Sequence, residues 1–197
     1  MNKYVIMANG QGVRWNNFNN KPKHLIEIDG ETLLSRTVRL LHKFDKNSQI
    51  FITSDDERYE VPGAVRHEPL DNKLEIDRFT YELIDDNACF LYGDTYYTEH
   101  AIENIVSKTA DRLLFIGTKQ RIVAIKVYDG EEFKRHIDAV KKMFLEGHIL
   151  DCKGWQVYQS FEGLPFDEIR IAGHYLLVDD ATQDFNYPED FLNFEAK

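Results

Sequence analysis

Apolar residues along this chain form short runs that alternate with stripes spaced for helices. The runs predict buried β-strands, because strands covered on both faces are almost continuously apolar. They cover residues 4–8, 49–53, 88–92, 112–116, 122–127 and 174–178. Strands alternating with helices predict a mostly parallel sheet packed between helices, with ligands bound beyond the carboxyl ends of the strands.

Apolar residues spaced three and four positions apart predict three amphipathic helices. The stripes consist of Leu34, Thr37, Val38, Leu41 and Phe44, of Ile102, Ile105 and Val106, and of Phe133, Ile137, Val140 and Phe144. Thr32 and Thr98 precede the first two stripes and are predicted N-caps. A further helix is expected over residues 74–84, and a short one begins near Pro188. The last third of the chain has a less regular pattern.

The composition indicates one folded domain that spans residues 1–197. Apolar residues make up 43% and charged residues 29% of the 197 positions, which excludes a disordered chain. No internal repeat or linker interrupts the pattern. No apolar stretch approaches the length of a membrane span and no leader segment is recognisable, so a cytoplasmic protein is expected. Cys89 and Cys152 lack metal-binding spacing and are expected to be reduced thiols.

The formal net charge of -10 narrows the choice of partners. Such a charge repels polyanions and anionic lipid at long range, so neither nucleic acid nor a membrane is an expected partner. A few cations concentrated in one loop can still bind a small phosphorylated ligand at contact distance. The sequence leaves the oligomeric state open.

The loop after the first strand has the composition of a phosphate-binding cradle. It reads ANGQGVRWNNFNNKPKHL over residues 8–25. Gly10 and Gly12 permit close approach of the backbone to a ligand, and Arg14, Lys21 and Lys23 supply positive charge. The loop lacks the GxxxxGK[ST] pattern of P-loops, and Trp15 stands where a dinucleotide fingerprint needs its third glycine.

Two later segments carry candidate chemistry. Gly93 and Asp94 follow the third predicted strand, and DFNYPEDF occupies residues 184–191. Taken alone, the first segment is more typical of a strand-end turn, and the second of a helix-capping segment. Their order after the glycine loop favours a shared functional role.

In that order, the three segments resemble the signature of the nucleotidyltransferases that have a GT-A-like Rossmann fold. This family includes sugar-phosphate nucleotidyltransferases, cytidylyltransferases and the guanylyltransferase of molybdenum-cofactor synthesis. Residues 8–41 carry the first motif, GxGxR followed by PK. The resemblance implies an α/β fold in three layers, a Rossmann-like, mostly parallel sheet with helices on both faces. It also implies an enzyme of nucleotide-sugar or similar metabolism.

The resemblance assigns roles to individual positions. Arg14 and Lys23 correspond to the catalytic cations, and Lys23 is expected on a surface loop where it contributes little to stability. The implied nucleotide-binding residues are Ala8, Asn9, Gly10, Gln11, Gly12, Val13, Arg14 and Lys23, with Asp71 and Asn72 as candidates for contacting the base. Asn9 and Trp15 depart from the smaller residues of the family pattern.

The implied cofactor is Mg²⁺, held by Asp94 and Asn186. A neutral amide is a weaker magnesium ligand than a carboxylate, so Asp179, Asp180 and Asp184 compete for the second position. The implied reaction joins a phosphate or phosphonate oxygen of a small acceptor to the α-phosphorus of a nucleoside triphosphate, and pyrophosphate leaves. Trp155, Tyr158 and His174 lie in the region expected to face the acceptor. Neither the base nor the acceptor follows from the sequence.

Two alternatives remain at this point. A glycosyltransferase of the GT-A fold would bind a nucleotide sugar, but the segment after the third strand has no DxD, and the GxGxR and PK elements would be unexplained. A nucleotide-binding module without catalysis is the other alternative, and Asn186 in place of a carboxylate favours it.

Overall fold

A seven-stranded sheet forms the centre of the computed structural model, which describes residues 1–10 and 12–195. The strands are β1 (Lys3–Met7), β2 (Glu27–Ile28), β3 (Glu31–Thr32), β4 (Gln49–Thr53), β5 (Val65–His67), β6 (Ala88–Tyr92), β7 (Thr95–Tyr96), β8 (Leu113–Gly117), β9 (Ile122–Val127), β10 (Tyr175–Leu177) and β11 (Gln183–Asp184). The central order is β10-β8-β9-β6-β1-β4-β5, while β2 pairs with β3 and β7 with β11. Only β9 runs antiparallel to its neighbours in the central sheet, which confirms the mostly parallel prediction.

Five α-helices accompany the sheet within the part of the chain that the structure describes. They are α1 (Leu33–Phe44), α2 (Glu99–Ser107), α3 (Gly130–Leu145), α4 (Gly154–Glu162) and α5 (Pro188–Leu192). The predicted caps are confirmed, because the hydroxyl of Thr32 accepts a hydrogen bond from the amide of Ser35 at 3.1 Å, and that of Thr98 accepts one from Ala101 at 3.0 Å. The sequence pattern did not predict α4.

The predicted α-helix over residues 74–84 is wrong. The chain instead forms two 3₁₀ turns, Glu75–Phe79 and Tyr81–Leu83, which are separated by Thr80 in a left-handed conformation with φ of 39°. A left-handed residue ends an α-helix, and the 3₁₀ hydrogen-bond pattern suits only short runs. Ile76 and Phe79 are nevertheless buried, so the apolar spacing indicated the buried face correctly.

Helices cover both faces of the sheet. Alternate residues of β1 point to opposite sides: Ile6 belongs to the core beneath α1 and α2, and Val5 to the core beneath α3 and α4. This arrangement confirms the three-layer prediction. Cys89 and Cys152 are buried and unpaired. Within the described residues, no helix is long and apolar enough to cross a membrane.

Replacing Phe133 with alanine should lower the free energy of unfolding by about 3–5 kcal/mol. The Phe133 ring is fully buried, with its centroid 5.3 Å from that of Phe79 and 5.7 Å from that of Phe90. Urea denaturation followed by circular dichroism measures the loss. Leu150→Ala is the control, because that side chain is 95% exposed, and its effect should stay within about 0.5 kcal/mol. Equal losses in the two variants would contradict the assignment of this core.

Candidate active site

A cleft of about 810 Å³ opens at the edge of the sheet where β1 and β6 end. The glycine loop after β1 lines one side, together with residues 72–75 and Arg78. The turn between β8 and β9, the beginning of α4 and the segment around Asp184 and Asn186 complete the lining. This is the edge at which a doubly wound sheet is expected to bind ligands.

The glycine loop is shaped by residues that tolerate left-handed backbone. Gly12 has φ of 61°, and four asparagines of the NNFNN segment have φ between 49° and 55°; they are Asn16, Asn17, Asn19 and Asn20. Asparagine adopts this conformation more readily than other residues with a Cβ atom. The asparagine-rich sequence therefore encodes a succession of tight turns. Gln11 lies outside the described residues.

Gly10 permits the close approach of a second cation, Arg78. A Cβ atom at Gly10 would lie 3.2 Å from the guanidinium carbon of Arg78, tighter than most side-chain contacts. Arg78 comes from the 3₁₀ turn at Glu75–Phe79 and lines the cleft. The sequence pattern placed residue 78 on a helix and gave no signal that it joins the glycine loop.

A buried ion pair connects the PK segment to the end of β6. The ammonium of Lys23 donates a hydrogen bond to the carboxylate of Asp94, and each residue is only 7% exposed. Burial alone raises the pKa of Asp94, but the charge of Lys23 and the hydrogen bond that Lys23 donates lower it below its ordinary value. Asp94 is therefore ionised at neutral pH. The expectation that Lys23 lies on the surface is wrong.

The neighbouring His24 carries no charge at neutral pH. The pKa of its imidazole is lowered to about 4: burial is the main cause, the charge of Asp94 opposes it, and the charges of Lys23 and Arg78 add to it. Its Nδ1 lies 3.1 Å from the hydroxyl of Tyr59. Lysine and arginine side chains therefore supply the positive charge of the cleft.

The DFNYPEDF segment reaches the same place by pairing with β7. Asp184 pairs with Thr95, and the amide of Phe185 donates a hydrogen bond of 2.9 Å to the carbonyl of Asp94. The side-chain oxygen Oδ1 of Asn186 accepts a hydrogen bond from Arg14 at 2.9 Å, and its side-chain nitrogen Nδ2 donates one to the carboxylate of Asp184. Residues from the glycine loop, the β6 end and the C-terminal segment are thus brought together.

Asp184 is a second carboxylate of this centre. Burial raises its pKa above the ordinary value, although the charge of Arg121 acts in the opposite direction. The guanidinium of Arg121 donates to it at 2.6 Å. Arg121 was missed in the sequence because it precedes β9. Because β9 runs antiparallel to β6 and β8, its first residues lie at the carboxyl ends of these two strands.

The surroundings of Trp15 show why this chain has a large residue where the family pattern has a smaller one. Its side chain is buried in a cluster that also contains Ile26, Leu33, Tyr96 and Phe185, and its indole N–H donates to the carbonyl of Lys21 at 2.9 Å. The cluster joins the glycine loop to β7 and to the C-terminal motif. A smaller side chain at residue 15 would leave a cavity between them.

Asn9, the other departure, connects the glycine loop to the loop before Arg78. Its backbone carbonyl accepts from the side-chain amide of Asn72 at 2.8 Å, and its side chain lies 3.4 Å from the hydroxyl of Thr53. Asn72 lines the cleft. Asp71 does not, and its carboxylate contacts Lys73 at 3.4 Å and Lys141 at 3.5 Å instead.

The remaining candidates lie in varied positions. Ala8 is buried in the core, whereas Val13 is an exposed residue of the cleft lining. Asp179 is exposed and lies away from the cleft.

Three candidates from the last third of the chain serve local structure. Asp180 accepts hydrogen bonds from the hydroxyl of Thr98 at 2.6 Å and the amide of Thr182 at 2.8 Å. The hydroxyl of Tyr158 donates to the carbonyl of Ala172 at 3.0 Å. His174 lies 2.8 Å from a carboxylate oxygen of Glu162. Of the aromatic residues expected to face an acceptor, Trp155 alone lines the cleft.

The oxygen donors of the cleft suit Mg²⁺. Asp94 and Asp184 offer carboxylates, and Asn186 offers an amide oxygen, all of them hard ligands. Across residues 1–10 and 12–195, no three His, Cys, Asp or Glu side chains are grouped as a metal cage. Mg²⁺ commonly binds through one or two carboxylates together with substrate phosphates, so the donor set fits an ion that arrives with a nucleotide.

Lys23→Met should lower the free energy of unfolding by about 3–5 kcal/mol, because it leaves the carboxylate of Asp94 buried without a charged partner. The double variant Lys23→Met/Asp94→Asn should lose less than the sum of the two single variants. Urea denaturation of all three measures the difference. Lys43→Met removes one partner of the exposed Lys43–Glu99 pair and should leave stability nearly unchanged. Additive losses at residues 23 and 94 would show that the two charges do not depend on each other.

No protein-family model and no curated protein sequence matches the chain. Its fold is shared with solved structures of low sequence identity. One is an inositol-1-phosphate CTP transferase from T. maritima, at 12% identity, a TM-score of 0.55 and coverage of 96% of this chain and 91% of that chain. Another is a 4-diphosphocytidyl-2C-methyl-D-erythritolsynthase from Anaerococcus prevotii DSM 20548, at 14% identity, a TM-score of 0.56 and coverage of 96% and 92%. These likenesses confirm the fold that the sequence resemblance implied.

Proposed function

We propose that the protein is a Mg²⁺-dependent nucleotidyltransferase. It would transfer a nucleoside monophosphate from a nucleoside triphosphate to a phosphorylated small molecule, such as a sugar phosphate, and release pyrophosphate. The observation that carries the proposal is the convergence of three motifs in one cleft: Arg14 bonds Asn186 across 172 positions of sequence, and Lys23 bonds Asp94 across 71. The shared fold with a CTP transferase supports it.

The cations of the cleft suit an in-line phosphoryl transfer. Arg14, Lys23 and Arg78 surround the glycine loop, where backbone amides and positive charge would hold the triphosphate. An oxygen of the acceptor phosphate forms a bond to the α-phosphorus while the bond to the bridging oxygen of pyrophosphate breaks. The attacking oxygen of the acceptor phosphate is already ionised at neutral pH, so the reaction needs no general base. The neutral, buried His24 is consistent with this requirement.

Asp94 and Asn186 would hold the magnesium ion, with the carboxylate of Asp184 beside them. When bound, the ion would neutralise phosphate charge in the transition state. Arg14 positions the Asn186 carbonyl, and Arg121 fixes Asp184. These contacts hold the donor atoms in one region before a ligand arrives.

The names of the structural neighbours suggest which nucleoside triphosphate to test first. The names of both structural neighbours contain a cytidine nucleotide, which makes CTP the first triphosphate to examine. The residues proposed to bind the nucleotide are Ala8, Asn9, Gly10, Gln11, Gly12 and Val13. Asn72 is the better placed of the two proposed base contacts, because it lies in the cleft against Asn9, whereas Asp71 is outside the cleft lining and contacts Lys141.

Asp94→Asn should reduce pyrophosphate release at least about 100-fold, since one donor of metal and phosphate positioning is worth several kcal/mol in such reactions. The assay supplies each of the four ribonucleoside triphosphates with Mg²⁺ and a panel of sugar phosphates. Arg14→Ala should weaken triphosphate binding in parallel. Asp179→Asn is the matched control, an exposed carboxylate outside the cleft, and should retain wild-type turnover.

The same assay separates the alternatives. If the protein binds a triphosphate but releases no pyrophosphate with any of the acceptors, the inactive nucleotide-binding module is favoured. If the protein hydrolyses a nucleotide sugar, or transfers the sugar from it, and does not use a triphosphate, the glycosyltransferase is favoured. Full activity of a stably folded Asp94→Asn protein would contradict the proposed metal role.

Asn186→Asp should tighten divalent-ion binding and lower the melting temperature of the metal-free protein. The new carboxylate adds a metal ligand. Without an ion, however, it replaces the Asn186 amide that donates a hydrogen bond to Asp184 in the unsubstituted protein, and it repels the Asp184 carboxylate. Asn186→Leu should weaken ion binding. Thermal unfolding in a Mg²⁺ titration measures both effects. Equal ion affinity in the two variants would remove Asn186 from the metal site and leave Asp94 and Asp184 as its candidates.

A further inference from the structure

Residues 70–74, which we call the Asn72 loop, follow β5 and have no regular secondary structure. Within the described part of the chain, none of their amides donates to a backbone carbonyl. The carboxylate of Asp77 bonds this backbone instead, accepting from the amide of Lys73 at 3.0 Å and from that of Leu74 at 2.7 Å. A segment without a backbone ladder opens easily, so its order depends on this side chain.

Asp77 in turn connects the Asn72 loop to α3. Its Oδ2 atom accepts the two loop amides, while its Oδ1 atom accepts from the ammonium of Lys141 at 2.7 Å. The Asp77 side chain is only 6% exposed, and a buried carboxylate is stable only with hydrogen bonds and an opposite charge. The hydrogen bond to Asp77 raises the pKa of Lys141, so the ammonium keeps its charge. The ion pair therefore holds the carboxylate in one orientation.

Asp77 stands between the two contacts that this region makes with the glycine loop. Arg78 follows it directly in the chain and lies against Gly10. On the other side, Asn72 is next to a bonded amide and donates to the carbonyl of Asn9 at 2.8 Å. Arg78 and Asn72 both line the cleft. A displacement of the Asp77 carboxylate would therefore disturb two groups at the nucleotide end at once.

The turn that contains Asp77 packs against the same helix through apolar contacts. Ile76 and Phe79 are buried, and the Phe79 ring lies 5.3 Å from that of Phe133 in α3. Thr80 ends the turn with φ of 39°, a strained conformation for a β-branched residue, which persists only where surrounding contacts impose it. The pair of Asp77 with α3 adds a polar contact to this packing.

We infer that Lys141 is a positioning residue for the nucleotide end of the cleft, and that it acts through Asp77 by ordering the Asn72 loop and the turn that carries Arg78. Neither Lys141 nor Asp77 lines the cleft, so neither contacts a bound molecule directly. The inference rests on the proposed function for the chemical class of the ligand, a nucleoside triphosphate.

Two other routes would also give Lys141 an influence on an anionic ligand. Its ammonium lies 3.5 Å from the carboxylate of Asp71, but that carboxylate is half-exposed, and such pairs contribute little. Its charge also adds to the electrostatic field of the cleft, as does that of Lys142, the next residue of α3. Lys142 is exposed and lies 3.9 Å from Glu146, so it provides a matched control for charge alone.

Hydrogen exchange measured by NMR tests the ordering of the loop without any ligand. Lys141→Met should accelerate exchange of the Lys73 and Leu74 amides about three- to tenfold, because their acceptor loses the charge that orients it. Lys141→Arg keeps the charge and should keep exchange slow. Lys142→Met should leave both amides unchanged. The amide of Arg58, which a carboxylate holds elsewhere at 2.9 Å, is the internal reference and should not respond.

Isothermal titration calorimetry with Mg²⁺ and CTP, ATP, GTP or UTP tests the consequence for binding. Lys141→Met should weaken the triphosphate that the wild type binds most tightly about three- to tenfold, whereas Lys141→Arg and Lys142→Met should stay within about twofold. In an Asp77→Asn background, Lys141→Met should change affinity less than about twofold, because the charge through which Lys141 acts is already gone. In an Asp71→Asn background it should keep its full effect.

Unchanged exchange of the Lys73 and Leu74 amides in a folded Lys141→Met protein would overturn the inference, as would faster exchange with unchanged triphosphate affinity. An equal loss of affinity in Lys142→Met, or a loss that persists in the Asp77→Asn background, would assign the effect to charge alone and overturn it as well. A wild-type protein that binds no triphosphate would contradict the proposed function, and the exchange rates alone would then uphold or overturn the ordering of the loop by Lys141.

Discussion

The parallel pairing of β1 with β6 is the constraint on which the site depends. Met7 pairs with Tyr92, and the amide of Gly93 donates to the carbonyl of Met7 at 3.0 Å. A Cβ atom at residue 93 would lie 2.8 Å from that carbonyl, so only glycine permits the approach. The segments that follow β1 and β6 leave the sheet side by side at this point, which places the glycine loop and Asp94 within reach of each other.

Compensation of buried charge then connects the distant parts of the chain. An unpaired carboxylate at Asp94 would be costly to bury, and Lys23 from the loop after β1 supplies the opposite charge. The same requirement applies to Asp184, whose partner Arg121 comes from the turn before β9. The Trp15 cluster holds these segments in place through apolar contacts, so the geometry of the polar groups depends on a small core of its own.

Local sequence signals predicted the elements but not their long-range consequences. The apolar runs located β1, β4 and β6, and Thr32 and Thr98 marked their helices, because strand periodicity and caps depend on neighbouring residues. The antiparallel direction of β9 depends on pairing between strands, and it was this direction that brought Arg121 to the site. The burial of Lys23 likewise depends on a carboxylate 71 positions away, and the break at Thr80 on a left-handed conformation that the apolar spacing does not reveal.

Under the proposed function, an acidic protein must bind phosphates, and the local balance of charge in the cleft allows this. Lys23 neutralises Asp94 and Arg121 neutralises Asp184, whereas Arg14 bonds the neutral amide of Asn186 and so retains its full charge. Under the proposed function, a divalent ion at the carboxylates would take over part of the compensation that Lys23 and Arg121 now provide. Those cations would then be released toward phosphate oxygens. Metal and phosphates would each remove the cost of binding the other, so the carboxylate–cation pairs would make the two binding events interdependent.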